Sequence, residues 1–128
     1  MPKQIIHSKH APAAIGPYSQ AVRTGNTVYL SGQIPLDPAT GEMVNGDIRA
    51  QAGRVFANMK AVCEAAGGSL DDIVRIGIYV VDMSDFADVN DVMASAFAEH
   101  RPARSTIEVA ALPRGARVEV DAIMVLAG

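Results

Sequence analysis

Apolar residues recur at steps of three and four along two stretches of the chain, and this spacing predicts two amphipathic helices. The first runs from Asp47 to Ala66, where Asp47 suits the positive N-terminal end and Gly67-Gly68 ends the helix. The second begins after the N-cap candidates Asp82–Asp85 and ends before Pro102, since the residue before a proline resists helix. The residues expected to be buried on the second helix are Phe86, Val89, Met93, Ala96 and Phe97.

Strands are predicted where polar and apolar residues alternate, or where short apolar runs stand between turn residues. Ile5-Ile6 forms a brief strand. Tyr18–Thr24 and Thr27–Gly32 flank Gly25-Asn26, a two-residue link that is typical of a β-hairpin. Ile73–Val81 is nearly all apolar, which predicts a central strand covered on both faces.

The last third of the chain predicts two more strands, Pro102–Val109 and Arg117–Leu126, which we expect to form a final hairpin. Arg104, Glu119 and Asp121 lie inside these strands rather than at their tips. A sheet face in contact with water explains the three charges without a function. A functional site is the competing interpretation, and the rest of the chain decides between the two.

The predicted order is a hairpin, a helix, a strand, a helix and a final hairpin. Strand–helix–strand crossovers favour parallel neighbours, and helices with one apolar stripe each favour coverage of one sheet face. We therefore expect an α/β (α+β) fold, a mixed β-sheet with two helices packed on one face. The other face is expected to be too apolar for water, so that further copies of the chain close it. The strand residues expected to be shared between the two faces are Val22, Val28, Leu30, Ile76, Ile78, Val118 and Val120.

The length of 128 residues predicts a single domain, 1–128, and its core must be aliphatic because aromatic residues make up only 5% of the chain. With 11 Lys and Arg against 14 Asp and Glu, the net charge of -3 gives no steering toward nucleic acid or an anionic membrane. The sequence shows no leader and no apolar run of membrane-spanning length, so we expect a soluble, cytoplasmic protein.

The remaining reactive residues offer little chemistry. The single Cys63 excludes an intrachain disulfide and lies on the apolar stripe of the first helix, so we expect a thiol in the core. His7 and His10 lack the partners of a metal site and His100 is remote from both, so no metal site is predicted. Gly32 indicates a bulge or a close approach by backbone or ligand, although a plain strand end explains it equally well.

Five segments of the chain, taken together, resemble the RidA/YjgF family of reactive-intermediate deaminases, also known as endoribonuclease L-PSP proteins. They are Ala11–Gln20, Ser31–Pro35, Phe86–Asn90, Pro102–Ser105 and Leu112–Ala122. The segments occur in the order typical of the family and span almost the whole chain. Any one of them is a weak signal, whereas the ordered set is highly specific.

The resemblance implies a chorismate-mutase-like fold, a homotrimer, and binding sites in the clefts between subunits. It implies hydrolysis of reactive 2-imino or 2-enamino acids, such as 2-aminoacrylate and 2-iminobutanoate, to 2-oxo acids and ammonia. Such intermediates leak from pyridoxal-phosphate enzymes that dehydrate serine and threonine, so their removal is a form of metabolite damage control. No metal and no organic cofactor is expected.

Two charged residues fit this chemistry and form the predicted catalytic pair. Arg104 can bind the substrate carboxylate through two parallel charge-assisted hydrogen bonds. Glu119 can hold and polarise the attacking water, or pass its proton to the leaving nitrogen.

The resemblance also implies substrate-binding positions around this pair. Tyr18 and Ser31 match family residues that line the cleft, and Gly32 would let the backbone approach the ligand. Asn90 would lie at the rim of the cleft. Thr106 stands where several members carry cysteine, which keeps a small polar group, removes a thiol and argues against thiol-based regulation.

The chain departs from the family pattern at His100–Pro102, which is shorter than in many members and has Arg101 where a bulky aromatic residue is common. This loop is expected to border the cleft, so its difference from the family pattern bears on which substrates the cleft accepts. Two other functions stay open: a non-catalytic ligand-binding or regulatory trimer, and an endoribonuclease or translation inhibitor. The acidic balance and the few aromatic residues give nucleic-acid binding little support.

Overall fold

The computed structural model describes residues 2–127, which form six strands and two helices. The strands are β1 (Gln4–Ile6), β2 (Ala21–Thr24), β3 (Thr27–Gln33), β4 (Ile73–Val80), β5 (Ala103–Glu108) and β6 (Val118–Val125). The helices are α1 (Ile48–Ala65) and α2 (Phe86–Phe97). The strands form one mixed sheet in the order β1-β2-β3-β6-β4-β5, so the predicted α+β class is confirmed. Neither helix in this part of the chain is long and apolar enough to cross a membrane.

Helix α1 begins and ends where its sequence predicts. The carboxylate of Asp47 accepts a hydrogen bond from the backbone N–H of Ala50 at 2.9 Å, which satisfies one free N–H of the first turn. Beyond the last turn, Gly67 adopts a φ of +93°, a conformation that a residue with a side chain rarely takes. Cys63 is fully buried on the inner side of this helix, as predicted.

Helix α2 follows a 3₁₀ turn at Met83–Asp85. Its buried residues are Val89, Met93 and Phe97, which lie four residues apart and form one narrow stripe. The prediction that Ala96 is buried is wrong, because Ala96 lies beside this stripe and is exposed. Phe86, at the start of the helix, is only half-buried.

The predicted final hairpin is wrong, although both of its strands exist. Strand β6 lies between β3 and β4 and pairs antiparallel with both, whereas β5 pairs in parallel with β4 at the edge of the sheet. This arrangement follows from burial: the residues of β6 that face the helices are buried, whereas nearly all of β5 is exposed and suits an edge. The parallel β4–α2–β5 crossover is confirmed.

The core lies between the helices and one face of the sheet, where the rings of Phe56 and Phe97 meet edge to face at 5.9 Å. Most of the apolar residues that were expected to be shared between the two faces belong to this core. They are Val28, Leu30, Ile76, Ile78, Val118 and Val120. Of that set, only Val22, the register partner of Tyr29, lies on the other side.

The other side, which we call the open face, is defined by Tyr29, Arg75, Tyr79, Glu119 and Asp121. These side chains alternate along the strands with the core residues, so they share the side that no helix covers. The open face also bears the exposed apolar side chains of Ile5, Ile107 and Val125, so the expected apolar surface is present there, beside charged groups that the prediction did not include. The expectation that β4 is covered on both faces is wrong within one chain, because Arg75 is exposed.

Candidate functional site

A cavity of about 590 Å³ lies between the N-terminal loop, the end of β3 and the start of β6. We call it the Glu119 cavity. It brings together four of the predicted site residues: Tyr18, Ser31, Gly32 and Glu119. Its remaining wall is largely apolar, and it includes Pro12, Ala13, Ile15, Ile34, Leu36 and Pro113. An apolar wall with a few polar groups is the usual composition of a small-molecule site.

A β-bulge shapes the floor of the Glu119 cavity. Leu30 pairs with Ala122 and Gln33 pairs with Val120, so a step of three residues along β3 matches a step of only two residues along β6. The extra residue turns Ser31 and Gly32 out of the regular ladder, which confirms the bulge that Gly32 suggested. The hydroxyl of Ser31 donates a hydrogen bond to the backbone carbonyl of Ser19 at 2.6 Å, which fixes the bulge against the loop that leads into β2.

Glu119 lies directly over Gly32. A Cβ atom placed on Gly32 would be 2.9 Å from Cδ of Glu119, and closer still to its carboxylate oxygen Oε2. A side chain at position 32 would therefore have to displace the carboxyl group of Glu119. The sequence suggested a close approach by backbone or ligand, whereas the group that approaches Gly32 within the chain is the side chain of Glu119.

The carboxyl of Glu119 has a raised pKa. Partial burial is the main cause, and the negative charge of Asp121, two residues along the same face, adds to it. The group consequently keeps its proton to a higher pH than an exposed glutamate does. A raised pKa brings a carboxyl closer to the range in which a general acid–base works, because the group is then better able to donate a proton as well as accept one.

The outer wall of the Glu119 cavity is held by Gln20, whose role the sequence did not reveal. The Gln20 side-chain amide is buried and donates to the carbonyls of Ser8 at 3.1 Å and Pro12 at 2.8 Å. Its carbonyl oxygen accepts a hydrogen bond from the backbone N–H of Ser8 at 2.6 Å. These bonds attach the loop that carries Pro12 to the start of β2. Gln20 ends the family segment Ala11–Gln20, but the sequence does not show its role, because its partners are backbone atoms.

Arg114 is a second residue of this cavity that sequence reasoning missed. It lies in the turn before β6 with a φ of +57°, and its Nη1 donates to the carbonyl of Gly41 at 2.9 Å. It adds a positive charge to the wall of the Glu119 cavity. Only its neighbours Pro113 and Gly115 indicate a turn in the sequence, and they say nothing about which cavity the arginine lines.

Arg104 belongs to a different surface. It faces the helices, because its register partner on β4 is the buried Ile76. Its guanidinium carbon lies 5.4 Å from the centre of the Phe86 ring. Its Nη1 donates to Oδ1 of Asn90 at 2.5 Å and contacts Sδ of Met93 at 3.6 Å. Within residues 2–127 no carboxylate pairs with Arg104, so its charge is available to an anionic ligand.

We call this surface the Arg104 cleft, a depression of about 90 Å³ between α2 and the edge of the sheet. It is lined by Asn90, Met93, Ala94, Phe97, His100, Arg101 and Arg104. Arg101 donates hydrogen bonds to the carbonyls of Ala98 and His100, at the end of α2. The Nε2 atom of His100 contacts the carbonyl of Ile73 at 2.6 Å.

Thr106 lies near the Arg104 cleft but is not part of its lining. Its register partner is the buried Ile78, so it faces the same side of the sheet as Arg104. Its Oγ1 is shielded from solvent and has no hydrogen-bond partner among the described residues. This hydroxyl is therefore unsatisfied in the isolated chain.

Within one chain, the predicted catalytic pair does not meet. Glu119 pairs with Tyr79 and lies on the open face, whereas Arg104 lies on the helix side with β4 between them. The structure thus groups Tyr18, Ser31, Gly32 and Glu119 in one place, and Asn90 and Arg104 in another.

His7, His10 and Cys63 lie outside the linings of the Glu119 cavity and the Arg104 cleft. His7 and His10 are exposed, and residues 2–127 contain no cluster of three or more metal-ligating side chains. Burial raises the pKa of Cys63 to about 12, with smaller contributions from Asp72 and Glu64. Cys63 is therefore a protonated, shielded thiol rather than a nucleophile.

Comparison with known proteins gives a consistent result. A family model described as endoribonuclease L-PSP matches residues 8–126. A 2-iminobutanoate/2-iminopropanoate deaminase of Dermatophagoides farinae is 53% identical over 98% of both chains. A RutC family protein of Pyrococcus horikoshii is 49% identical over 94% of this chain and 96% of its own. The crystal structure of E. coli TdcF with bound serine superposes with a TM-score of 0.93 at 42% identity, covering 97% of this chain and 99% of that one.

The mixed sheet, its two helices and the two clefts define an α+β protein of a family that binds small molecules. The chain belongs to the endoribonuclease L-PSP family, the RidA/YjgF family that its sequence motifs resemble. Several of its curated relatives are named as imine deaminases, and others carry only the family name.

Proposed function

We propose that this protein hydrolyses 2-imino and 2-enamino acids, such as 2-aminoacrylate and 2-iminobutanoate, to 2-oxo acids and ammonia. The observation that carries the proposal is a pair of groups matched to that substrate. Arg104 is an arginine without a carboxylate partner in the described residues, and Glu119 is a half-buried carboxyl whose pKa is raised, chiefly by burial. The deaminase names of relatives at 43% and 53% identity support the same activity.

We further propose that the active unit is a homotrimer in which each site is built from two chains. Arg104 and Glu119 lie on opposite faces of the sheet, so one chain cannot present both to one small substrate. A head-to-tail interface repeated around a three-fold axis would bring the Arg104 cleft of one chain against the Glu119 cavity of the next. Such an interface also gives the buried hydroxyl of Thr106 a possible partner or ligand.

In this arrangement the guanidinium of Arg104 binds the substrate carboxylate through two parallel hydrogen bonds. The protonated carboxyl of Glu119 donates its proton to the imine nitrogen, and a water molecule then attacks carbon 2 of the resulting iminium ion. The Glu119 carboxylate takes a proton from that water. Glu119 then passes this proton to the amino nitrogen, which leaves as ammonia, and takes up the hydroxyl proton as the carbonyl group forms at carbon 2. The apolar wall around Ile15, Ile34 and Leu36 receives the substrate side chain.

The activity is tested with an assay in which a threonine or serine dehydratase generates the imine. We expect imine decay and ammonia release faster than the spontaneous rate, and loss of this acceleration in Arg104→Ala. Binding of a 2-oxo acid without acceleration would favour the ligand-binding alternative. Cleavage of RNA in metal-free buffer that depends on Arg104 would favour the endoribonuclease alternative.

The two-chain site is tested by mixing inactive variants. Arg104→Ala and Glu119→Gln chains are unfolded and refolded together in equal amounts. A site is intact when the chain that supplies Arg104 is the Glu119→Gln variant and the neighbouring chain that supplies Glu119 is the Arg104→Ala variant. Random assembly into closed rings therefore restores about a quarter of the sites. Each variant refolded alone is the control. Absence of recovery in a mixture that forms trimers would show that one chain supplies both residues.

A further inference from the structure

The open face carries a second carboxylate, Asp121, next to Glu119 on β6. Tyr79, on β4, is the register partner of Glu119, yet its hydroxyl donates a hydrogen bond to Oδ2 of Asp121 at 3.0 Å. The Tyr79 side chain therefore leans diagonally along the sheet, away from the residue directly opposite. Diagonal contacts of this length are within reach of an aromatic side chain.

Gly77 makes this diagonal arrangement possible. It is the register partner of Asp121, and a Cβ at this position would be 2.9 Å from the Tyr79 hydroxyl and closer still to Oδ1 of Asp121. Gly77 thus repeats on β4 what Gly32 does on β3: each glycine leaves space for one carboxylate of β6. The carboxylates of Glu119 and Asp121 consequently turn to opposite sides of β6.

We propose that Tyr79 and Asp121 are positioning residues for Glu119. Tyr79 and Asp121 occupy the β4 side of β6, so the Glu119 side chain is left with the β3 side, over Gly32, where it faces the Glu119 cavity. The proposal rests on the proposed function only in so far as Glu119 acts on substrate. The position and the protonation of Glu119 are properties of the free protein and can be measured without turnover.

The charges around Glu119 are consistent with this role. From β4, Tyr79 and Arg75 face the same side, and Arg75 turns toward β5, donating to the carbonyl of Ile76 at 2.8 Å and to Ser105 at 3.4 Å. Tyr18 and Arg114 share the Glu119 cavity, and Asp121 is the neighbouring carboxylate on β6 itself.

The Tyr79 hydroxyl is a permanent donor in this group. Burial raises the pKa of Tyr79, and the hydrogen bond to Asp121 raises it further, so the phenol stays protonated over the range in which Glu119 titrates. The charge of Asp121 therefore stays fixed at one distance from Glu119, where it adds to the effect of burial on the pKa of Glu119. The same pair that directs the side chain thus helps to keep it protonated.

The experiment compares wild type with Asp121→Asn and Tyr79→Phe, using Tyr29→Phe as the matched control. Tyr29 lies on the same open face and its hydroxyl has no hydrogen-bond partner within residues 2–127. The pKa of Glu119 is measured by NMR on protein with ¹³C-labelled glutamate side chains, without substrate. The resonance is assigned by its absence in Glu119→Gln. Circular dichroism and light scattering verify the fold and the assembly of each variant.

We expect Asp121→Asn to lower the pKa of Glu119 toward its ordinary value. One limb of the plot of kcat/KM against pH reflects the ionisation of Glu119, and this limb should move to lower pH by the same amount. We expect Tyr79→Phe to lower kcat about tenfold with little change in KM, since small displacements of a catalytic group cost at least this much. Tyr29→Phe should match wild type in both measurements.

An unchanged Glu119 pKa in folded Asp121→Asn, together with wild-type kcat in Tyr79→Phe, would overturn the proposal. Failure of the proposed function has a different signature. If the protein hydrolyses no imine but the Glu119 resonance shifts in Asp121→Asn, then the positioning role stands and only the substrate is wrong.

Discussion

The carboxyl group of Glu119 occupies the space that a side chain at position 32 would need, so Gly32 and Glu119 form one structural unit across β3 and β6. The unit depends on the bulge at Ser31 and Gly32, which takes Gly32 out of the regular ladder. Because Gly32 does not have a left-handed φ, a substitution there acts through contact with Glu119 rather than through backbone strain.

Gly32→Ala should displace the Glu119 carboxyl and lower kcat by about ten- to a hundredfold, the usual effect of a catalytic group moved by about an ångström. Gly53→Ala is the matched control, since Gly53 lies in α1 with no atom near the added Cβ. That variant should keep full activity and gain roughly 0.5–1 kcal/mol of stability from the helical alanine. Steady-state kinetics and thermal melts on both proteins make the comparison. Equal kcat values for the two variants would refute the steric argument.

Arg104→Lys should lower kcat/KM by about ten- to a hundredfold, because lysine keeps the charge but loses the bidentate fit to a carboxylate. Arg104→Ala should be lower still, with little change in melting temperature, because Arg104 is exposed and has no ion-pair partner among the described residues. Arg49→Lys, an exposed residue that bridges α1 to Asp88 and Asp91 of α2, is the control and should leave imine hydrolysis unchanged. Near-normal hydrolysis by a folded Arg104→Ala protein would remove the core of the proposed mechanism.

Glu119→Gln should abolish most turnover while binding of an unreactive 2-oxo acid is retained. The same change should stabilise the protein at neutral pH. Burial and the charge of Asp121 raise the pKa of Glu119 in the folded state, so the folded protein loses stability as pH rises from the ordinary glutamate pKa through the raised one. Glutamine does not ionise and avoids this loss.

The stability effect is measured as the difference in melting temperature between Glu119→Gln and wild type across a pH series. The difference should be positive at neutral pH and should shrink below the ordinary pKa of glutamate. A difference that does not depend on pH would mean that the ionisation of Glu119 has no effect on stability.

Thiol reagents should leave the native protein active. Cys63 is fully buried, and burial raises its pKa to about 12, so almost no thiolate is present near neutral pH. Labelling with a maleimide, read by mass spectrometry, should become fast only in denaturant. Rapid modification with loss of activity under native conditions would show that α1 opens or that Cys63 is misplaced.

Gln20→Met should lower the free energy of unfolding by about 2 kcal/mol, because backbone groups of Ser8 and Pro12 lose buried hydrogen-bond partners. The loop that Gln20 holds forms a wall of the Glu119 cavity, so KM should rise as well. Gln4→Met, at an exposed position of β1, is the control for the loss of an amide. Urea unfolding of the two variants is the measurement, and equal unfolding free energies would contradict the role of Gln20.

The features that the sequence predicted correctly depend on neighbours along the chain. Asp47 caps α1 three residues from its partner Ala50, and the Gly25-Asn26 link joins adjacent strands. The errors concern partners that are distant in sequence. Nothing near Val118 indicates that β6 inserts between β3 and β4, so the final strands were paired with each other.

The candidate site shows the same limit. The family motifs indicated Arg104 and Glu119, but their separation onto opposite faces follows from the register of β5 and β6 against β4. Gln20 and Tyr79 act through contacts with Ser8 and Asp121 that no local pattern contains. Side-chain type identified the chemistry, whereas sheet register decides which groups can meet.

The central position of β6 has a consequence for biosynthesis. Of the six strands, β6 is the last to leave the ribosome, yet it joins β3 to β4 in the middle of the sheet. Until it arrives, the nascent chain holds two unpaired strand edges, which are the features that most readily lead to misassociation. Glu119 arrives with the same strand. The sheet and its Glu119 cavity are therefore completed together, when β6 is added, and a chain cut before Val118 would lose the middle of the sheet rather than its edge.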